Sequence, residues 1–250
     1  MADVLDDLEG EHTALDALVA PLSDAQWKTP TPAAGWDIGD TIAHLAMSDE
    51  MAVTSVEGRG EAAFKEILKD PDAALAAQDR AARERTPRQV LEWWRMARSV
   101  VVSAMRSLPP GARVYWGIGE MSVRSLATAR LMECWAHGLD CFAALGVEPV
   151  DTDRMRHVCH LGYQTLPYAF QFAGREMPGP RDDLRLELTA PDGVSVWSFG
   201  PDEASQVVRG SAGEWARLAV RRITLADAAT LTADGPLASA ALEVAKAYLL

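Results

Sequence analysis

Glu133 and His137 stand one helical turn apart in the run Arg124–Asp140, and His44 lies in an earlier helix-like run, Asp40-Thr-Ile-Ala-His-Leu45. Side chains at i and i+4 share a helix face, so Glu133 and His137 can reach one point, and an imidazole from a neighbouring helix can complete a three-ligand set. Two imidazoles and a carboxylate leave a coordination position open, which is the arrangement a catalytic zinc needs. Ligand type narrows the metal without deciding among zinc, nickel and iron.

Other partners compete for these groups. Glu133 and His137 share a stripe with Leu126, Ala129 and Ala136, and an ionised carboxylate on an apolar face is costly unless it is paired or coordinates a cation. Arg130, one turn before Glu133, is the main rival partner; an ion pair there satisfies Glu133 and leaves His137 unexplained. Cys134 and Cys141, at i−3 and i+4 from His137, form an alternative trio with it, ranked lower because a buried cysteine usually acts as a small hydrophobe. His12, a turn after Leu8, is an outside candidate with a core histidine as the simpler reading. His157 and His160 are spaced i, i+3 but lack an evident third ligand.

The elements that must position these residues follow from apolar spacing. Residues 2 to 21 read as a first helix stopped by Pro21, and the Pro- and Gly-rich connection Trp27–Trp36 leads to Asp37 as cap of a second helix over about Ile38 to Glu57. In it Asp40 is either a hydrogen-bond acceptor behind His44 or a favourable first-turn charge, the safer reading. Residues 58 to 85 read as a long crossover with short helical pieces. Thr86-Pro87 starts a third helix with a core stripe of Val90, Leu91, Trp94, Ala97, Val101 and Met105, ended by Pro109-Pro-Gly111. A short loop around Trp116 precedes a fourth helix, about Ser122 to Leu145. Metal sites in bundles of four helices are built from inward side chains of facing helices. Beyond it, residues 152 to 175 read as one helix; Leu184–Thr189, Val194–Phe199 and Gln206–Arg209 read as strands, with a turn at Asp192-Gly193. Helices over about Ser211–Val220 and Pro236–Tyr248 close an α+β unit.

Composition sets outer limits. With 250 residues, 48% of them hydrophobic, there is material for one large domain or two modest ones. A net charge of −12 without a basic stripe argues against nucleic acid as a partner. The chain has neither a long apolar run nor a basic start followed by an apolar stretch, so the expectation is a cytoplasmic protein without a membrane partner. Three cysteines are too few for a disulfide framework and fit a reducing compartment. Arginine far outnumbers lysine and alanine is abundant, which suggests a GC-rich genome.

Trp27, Thr29-Pro-Thr-Pro32, Gly35-Trp36, Asp40 and His44-Leu45, taken with Glu133, His137-Gly138 and Asp140, resemble the DinB-like superfamily in its mycothiol-dependent maleylpyruvate isomerase branch, over essentially the whole chain. The resemblance implies an α+β fold: a DinB-like metal-binding four-helix bundle over residues 1–148, and a small C-terminal α+β domain with a linking helix over 149–250, whose signature matches Gly210–Arg222. It implies His44, Glu133 and His137 as ligands of a divalent metal, zinc, and mycothiol, a small actinobacterial thiol, as cofactor. It also gives Arg222, with Arg221 as rival, a catalytic role in holding a substrate carboxylate. The chemistry implied is thiolate addition to an activated cis alkene, rotation and elimination from the trans product, or thiol transfer to a small organic electrophile. Cys134 and Cys141 beside His137 depart from the family's usual pattern. The alternatives are a non-catalytic metal-binding or small-ligand-binding protein, and a purely structural cluster with Glu133 paired to Arg130.

Overall fold

Apolar side chains at helical spacing build the first part of the chain into long helices. The computed structural model describes residues 4–109, 111–117 and 119–248. Two details expected above, the first helix at positions 2 and 3 and Pro110 in the stop after the third, lie outside the described residues. The described residues fall into two compact units, Met1–Pro149 and Val150–Leu250.

In the first unit the helices are α1 (Val4–Val19), α2 (Ile38–Val56), α3 (Gly60–Lys69), α4 (Pro71–Arg83), α5 (Pro87–Ser107) and α6 (Val123–Leu145). Helix α2 packs on α5 and α6, and α1 packs on α6, making a bundle of α1, α2, α5 and α6. Its interior holds Leu8, Ile42, Trp94, Val101 and Leu126, all fully buried; burying each such side chain stabilises by about 1.5–3 kcal/mol. The ends are set by side chains. Asp37 and Asp40 form a reciprocal capping box at the start of α2, Thr86 and Gln89 another at the start of α5, and Ser122 caps α6. Each such cap stabilises by about 1 kcal/mol. Gly146 ends α6 at φ 64°, the left-handed conformation that glycine adopts without a Cβ clash.

Two expectations for this unit need correction. The crossover of residues 58 to 85 is mostly helix, because Gly60–Lys69 and Pro71–Arg83 form α3 and α4, with Asp70 capping and Pro71 opening the second. The loop around Trp116 is a hairpin: β1 (Arg113–Trp116) pairs antiparallel with β2 (Gly119–Ser122), Trp116 opposite Gly119. The run Val-Tyr-Trp favours extended backbone, and Gly117, at φ 64°, turns the chain.

In the second unit the expected helix over 152 to 175 is broken into α7 (Arg156–Gln164) and α8 (Leu166–Phe172). Pro167 explains the break, since its ring and missing N–H cannot continue a helix from the preceding turn. A mixed sheet follows, β3 (Leu184–Thr189), β4 (Val196–Phe199) and β5 (Gln206–Ser211), then α9 (Ala212–Ala219), β6 (Thr232–Asp234) and α10 (Pro236–Val244). The strand order is β4-β3-β5-β6, with β3 antiparallel to β4, parallel to β5, and β5 antiparallel to β6. Leu184, Leu186 and Leu188 alternate into the core. Strand β4 starts at Val196, later than expected, because Asp192 takes the N–H groups of Val194 and Ser195 into its turn. Strand β6 has three exposed residues and no alternation to betray it. Helix α10 stops at Val244, short of Tyr248. Among the described residues no helix is long and apolar enough to cross a membrane.

His12 is a core residue of α1, its ring edge-on to Trp94 at 5.9 Å and its carbonyl accepting from Arg98 Nη1 at 2.8 Å. Burial, then the charges of Arg98 and Arg130, lower it from 6.5 to about 3. The unfolded chain therefore takes up this proton below pH 6.5 while the folded one does not until about pH 3, so stability is complete above 6.5 and is lost as pH falls through that window. Between pH 7 and pH 5 the loss is ~2 kcal/mol. Urea unfolding of wild type and His12→Leu at both pH values checks this: the pH-dependent loss should shrink by about that amount in the variant, and equal losses would show that His12 is not held neutral.

Candidate metal centre

The connection before α2 is the first part of the site to be explained. Its prolines exclude helix, and a short antiparallel bridge between Pro30 and Asp37 closes it. Ile38 N–H donates to Thr29 O at 3.2 Å, Thr31 N–H to Trp36 O at 2.9 Å, and Trp36 N–H to Ala33 O at 3.0 Å. Gly35 allows the tight turn at φ 81°. This pinned loop presents Trp36, whose ring lies 5.0 Å from that of His44 and 5.7 Å from that of His137.

His44 comes from the second turn of α2, and Glu133 and His137 from successive turns of α6. His44 Nε2 is 3.4 Å from Glu133 Oε2, and His137 Nε2 is 3.5 Å from the same oxygen. One ligand atom of each of the three lies within 4.8 Å of the others, and each residue is half-buried, so the cluster is reachable from solvent. Bonds of about 2.0–2.1 Å to a tetrahedral zinc put neighbouring ligand atoms roughly 3.4 Å apart. The two separations to Glu133 match that spacing, and the donor set suits a divalent ion of the zinc type.

The surrounding charges tune these groups. Burial pushes the Glu133 carboxyl up, but hydrogen bonds from His137 and His44 and the charge of Arg130 outweigh it and hold Glu133 well below the usual carboxylate range. Burial lowers His44 despite Glu133 and so favours the neutral form of its imidazole. For His137 burial is outweighed by hydrogen bonds to Asp140 and Glu133, and its value rises. His137 Nδ1 meets Asp140 Oδ2 at 3.0 Å, with Asp140 itself buried. A carboxylate behind a histidine fixes the ring and turns the opposite nitrogen toward a ligand.

Several rival readings are resolved. Arg130 does not pair with Glu133 in preference to all else: its Nε donates to Asp49 Oδ1 at 2.9 Å. Cys134 and Cys141 pack in the hydrophobic core and are absent from the ligand cluster, and burial pushes both thiols well above the usual thiol range. Asp40 is engaged at the helix start, accepting from Asp37 N at 3.1 Å and facing Arg83 at 3.9 Å. His12 lies against Trp94 and is also outside the cluster, while His160 is exposed, 5.8 Å from Phe199. Arg222 belongs to the second unit, where it is half-buried, donates to Val220 O at 2.8 Å and lines a cleft of about 350 Å³ with Arg221 and Glu243. Arg221 is exposed at φ 59° and donates to Val244 O at 3.3 Å. Two residues beside the cluster were not singled out from sequence as acting there, Trp36 and Asp49. An acid on the buried α2 stripe of Ile42, Leu45 and Ala52 was the available signal for Asp49.

Comparison with known proteins bears on this geometry. The model of the mycothiol maleylpyruvate isomerase N-terminal domain matches residues 8–142, which include all three clustered residues and Asp140. Uncharacterized proteins from two strains of Mycobacterium tuberculosis are each 41% identical over 223 residues, covering 88% of this chain and 85% of theirs. Two crystal structures of the mycothiol-dependent maleylpyruvate isomerase, one of them of a mutant, share the fold with TM-scores of 0.60 and 0.59, covering 94% of both chains at 15% identity.

The Asp140 carboxylate supplies much of what raises His137, so replacing it by a neutral amide has a definite sign. In metal-free Asp140→Asn protein the NMR titration midpoint of the His137 ring should fall relative to wild type. An unmoved midpoint would mean that Asp140 does not act on this imidazole.

Proposed function

The chain belongs to the family of the mycothiol maleylpyruvate isomerase N-terminal domain, and on that premise we propose that it is a metal-dependent enzyme using a small thiol, mycothiol or a close analogue, to isomerise or conjugate a small electrophilic substrate. The observation that carries the reading is the convergence of two imidazoles and one ionised carboxylate from two helices, all half-buried, with each imidazole at tetrahedral spacing from the carboxylate oxygen. His44, Glu133 and His137 are the proposed ligands, and zinc the proposed metal. When bound, such an ion supplies a Lewis-acid position at which a thiol ionises near neutral pH.

The residues themselves divide the remaining work. Glu133 contributes the negative charge that offsets a cation in the half-buried site, and Asp140 keeps the His137 ring oriented. Trp36 walls one side of both imidazoles, limiting water and favouring a flat, unsaturated substrate at that face. Arg222 is the proposed holder of a substrate carboxylate, a role supported by its place in a cleft and by a guanidinium partly anchored on Val220. A bidentate guanidinium suits a carboxylate better than an ammonium does.

Metal analysis of untagged protein is the direct test. Wild type should carry stoichiometric zinc and Glu133→Ala should lose it with the fold intact; wild type that takes no zinc after dialysis against it would end this reading. With zinc in place, a cis-alkene diacid and mycothiol form the assay, and Arg222→Met should raise KM for the diacid far more than it lowers kcat. Zinc without thiol binding or turnover would reduce the protein to a metal binder.

A further inference from the structure

Arg130 sits one turn before Glu133 on the same face of α6 and is almost wholly buried. Residues at i and i+3 on a helix are neighbours, so Glu133 is within reach of this guanidinium, and its charge is felt at the Glu133 carboxyl. A buried guanidinium requires a carboxylate. Two compete for it, Glu133 on its own helix and Asp49, which reaches across from α2. In the structure Asp49 has it, with Arg130 Nε donating to Asp49 Oδ1 at 2.9 Å and both side chains only 2% exposed. Glu133 is left facing His44 and His137.

We infer that Asp49 is a positioning residue for the metal centre: by holding Arg130 it keeps the guanidinium from capturing Glu133 and cancels a positive charge that would repel a cation beside it. The inference rests on the metal reading above and deepens it. The arrangement has a clear electrostatic logic. A divalent ion, Arg130 and Glu133 together leave two net positive charges in a poorly solvated place; with Asp49 ionised, one is removed. Glu11 and Arg98 are further charged groups of the same interior, acting at Cys134 and Asp49 respectively, but neither forms the short contact to Arg130 that Asp49 makes.

The sign of the effect separates this role from simple packing. Zinc affinity is read by competition with a chromophoric chelator for wild type, Asp49→Asn, Arg130→Met and the double variant Asp49→Asn/Arg130→Met, with far-UV circular dichroism reporting the fold. Asp49→Asn frees Arg130 to take Glu133 and should weaken zinc binding about 10–100-fold, the range seen when a group supporting a metal ligand is lost. The double variant, with the wild-type net charge restored, should bind zinc as wild type does, and Arg130→Met, which loses only the repelling positive charge, at least as tightly. Recovery on adding a second substitution is a result that lost packing does not produce. A folded Asp49→Asn with unchanged affinity would overturn the inference, and so would a double variant that binds as weakly as the single one. Should Asp49→Asn not fold, the double variant decides: zinc retained upholds the inference and zinc lost overturns it. Wild type without zinc affinity would bring down the metal reading itself, and this inference with it, an outcome distinct from any of the variant results.

Discussion

An ionised carboxylate inside a helical bundle is unstable unless its surroundings answer its charge, and much of the first unit is arranged around that requirement at Glu133. Two imidazoles face it, one brought by α2 and one by the next turn of α6. Each answering group then needs its own partner. His137 is backed by Asp140, and Arg130, whose charge also favours ionised Glu133, is matched by Asp49. The polar core is thus a chain of satisfied demands running outward from one acid, enclosed by the apolar faces of four helices. The helix ends serve it too, because the Asp37 and Asp40 box fixes where α2 begins and so which of its turns delivers His44.

Much of this was legible in the sequence, and the exceptions share a cause. The pairing of Glu133 with His137, and the presence of His44 on a facing helix, follow from helical periodicity, which also gave the α5 stripe and the strand alternation of Leu184 to Leu188. The identity of Arg130's partner did not follow. Spacing favours the local acid Glu133, whereas Asp49 is 81 residues away in the chain and becomes a neighbour only once α2 and α6 are packed. Trp36 was likewise visible as part of a motif but not as a wall of the site, since a Pro- and Gly-rich loop has no periodicity from which to read a direction. The hairpin at Trp116 and the three-residue β6 were lost to shortness.

Cysteine placement illustrates the same division between type and environment. Cys134 adjoins Glu133 in sequence, yet successive helical positions point about 100° apart, and Cys134 faces the apolar interior instead of the cluster. In the second unit Cys159 is equally inert, its thiol donating to Ala212 O at 3.4 Å while its carbonyl accepts from Trp215 Nε1 at 3.1 Å. These sulfurs serve as compact apolar filling, with the latter residue also tying α7 to α9.

The separation of His44 from Glu133 by 89 positions has a thermodynamic meaning of its own. Any ligand gripped by both closes a loop containing α3, α4, α5 and the hairpin, and the entropy of closing a flexible loop rises only with the logarithm of its length. Such a ligand is therefore a reversible cross-link between distant parts of the chain. Part of its binding energy is felt as cohesion of the bundle, and part of the bundle's cohesion depends on how much ligand is free in solution.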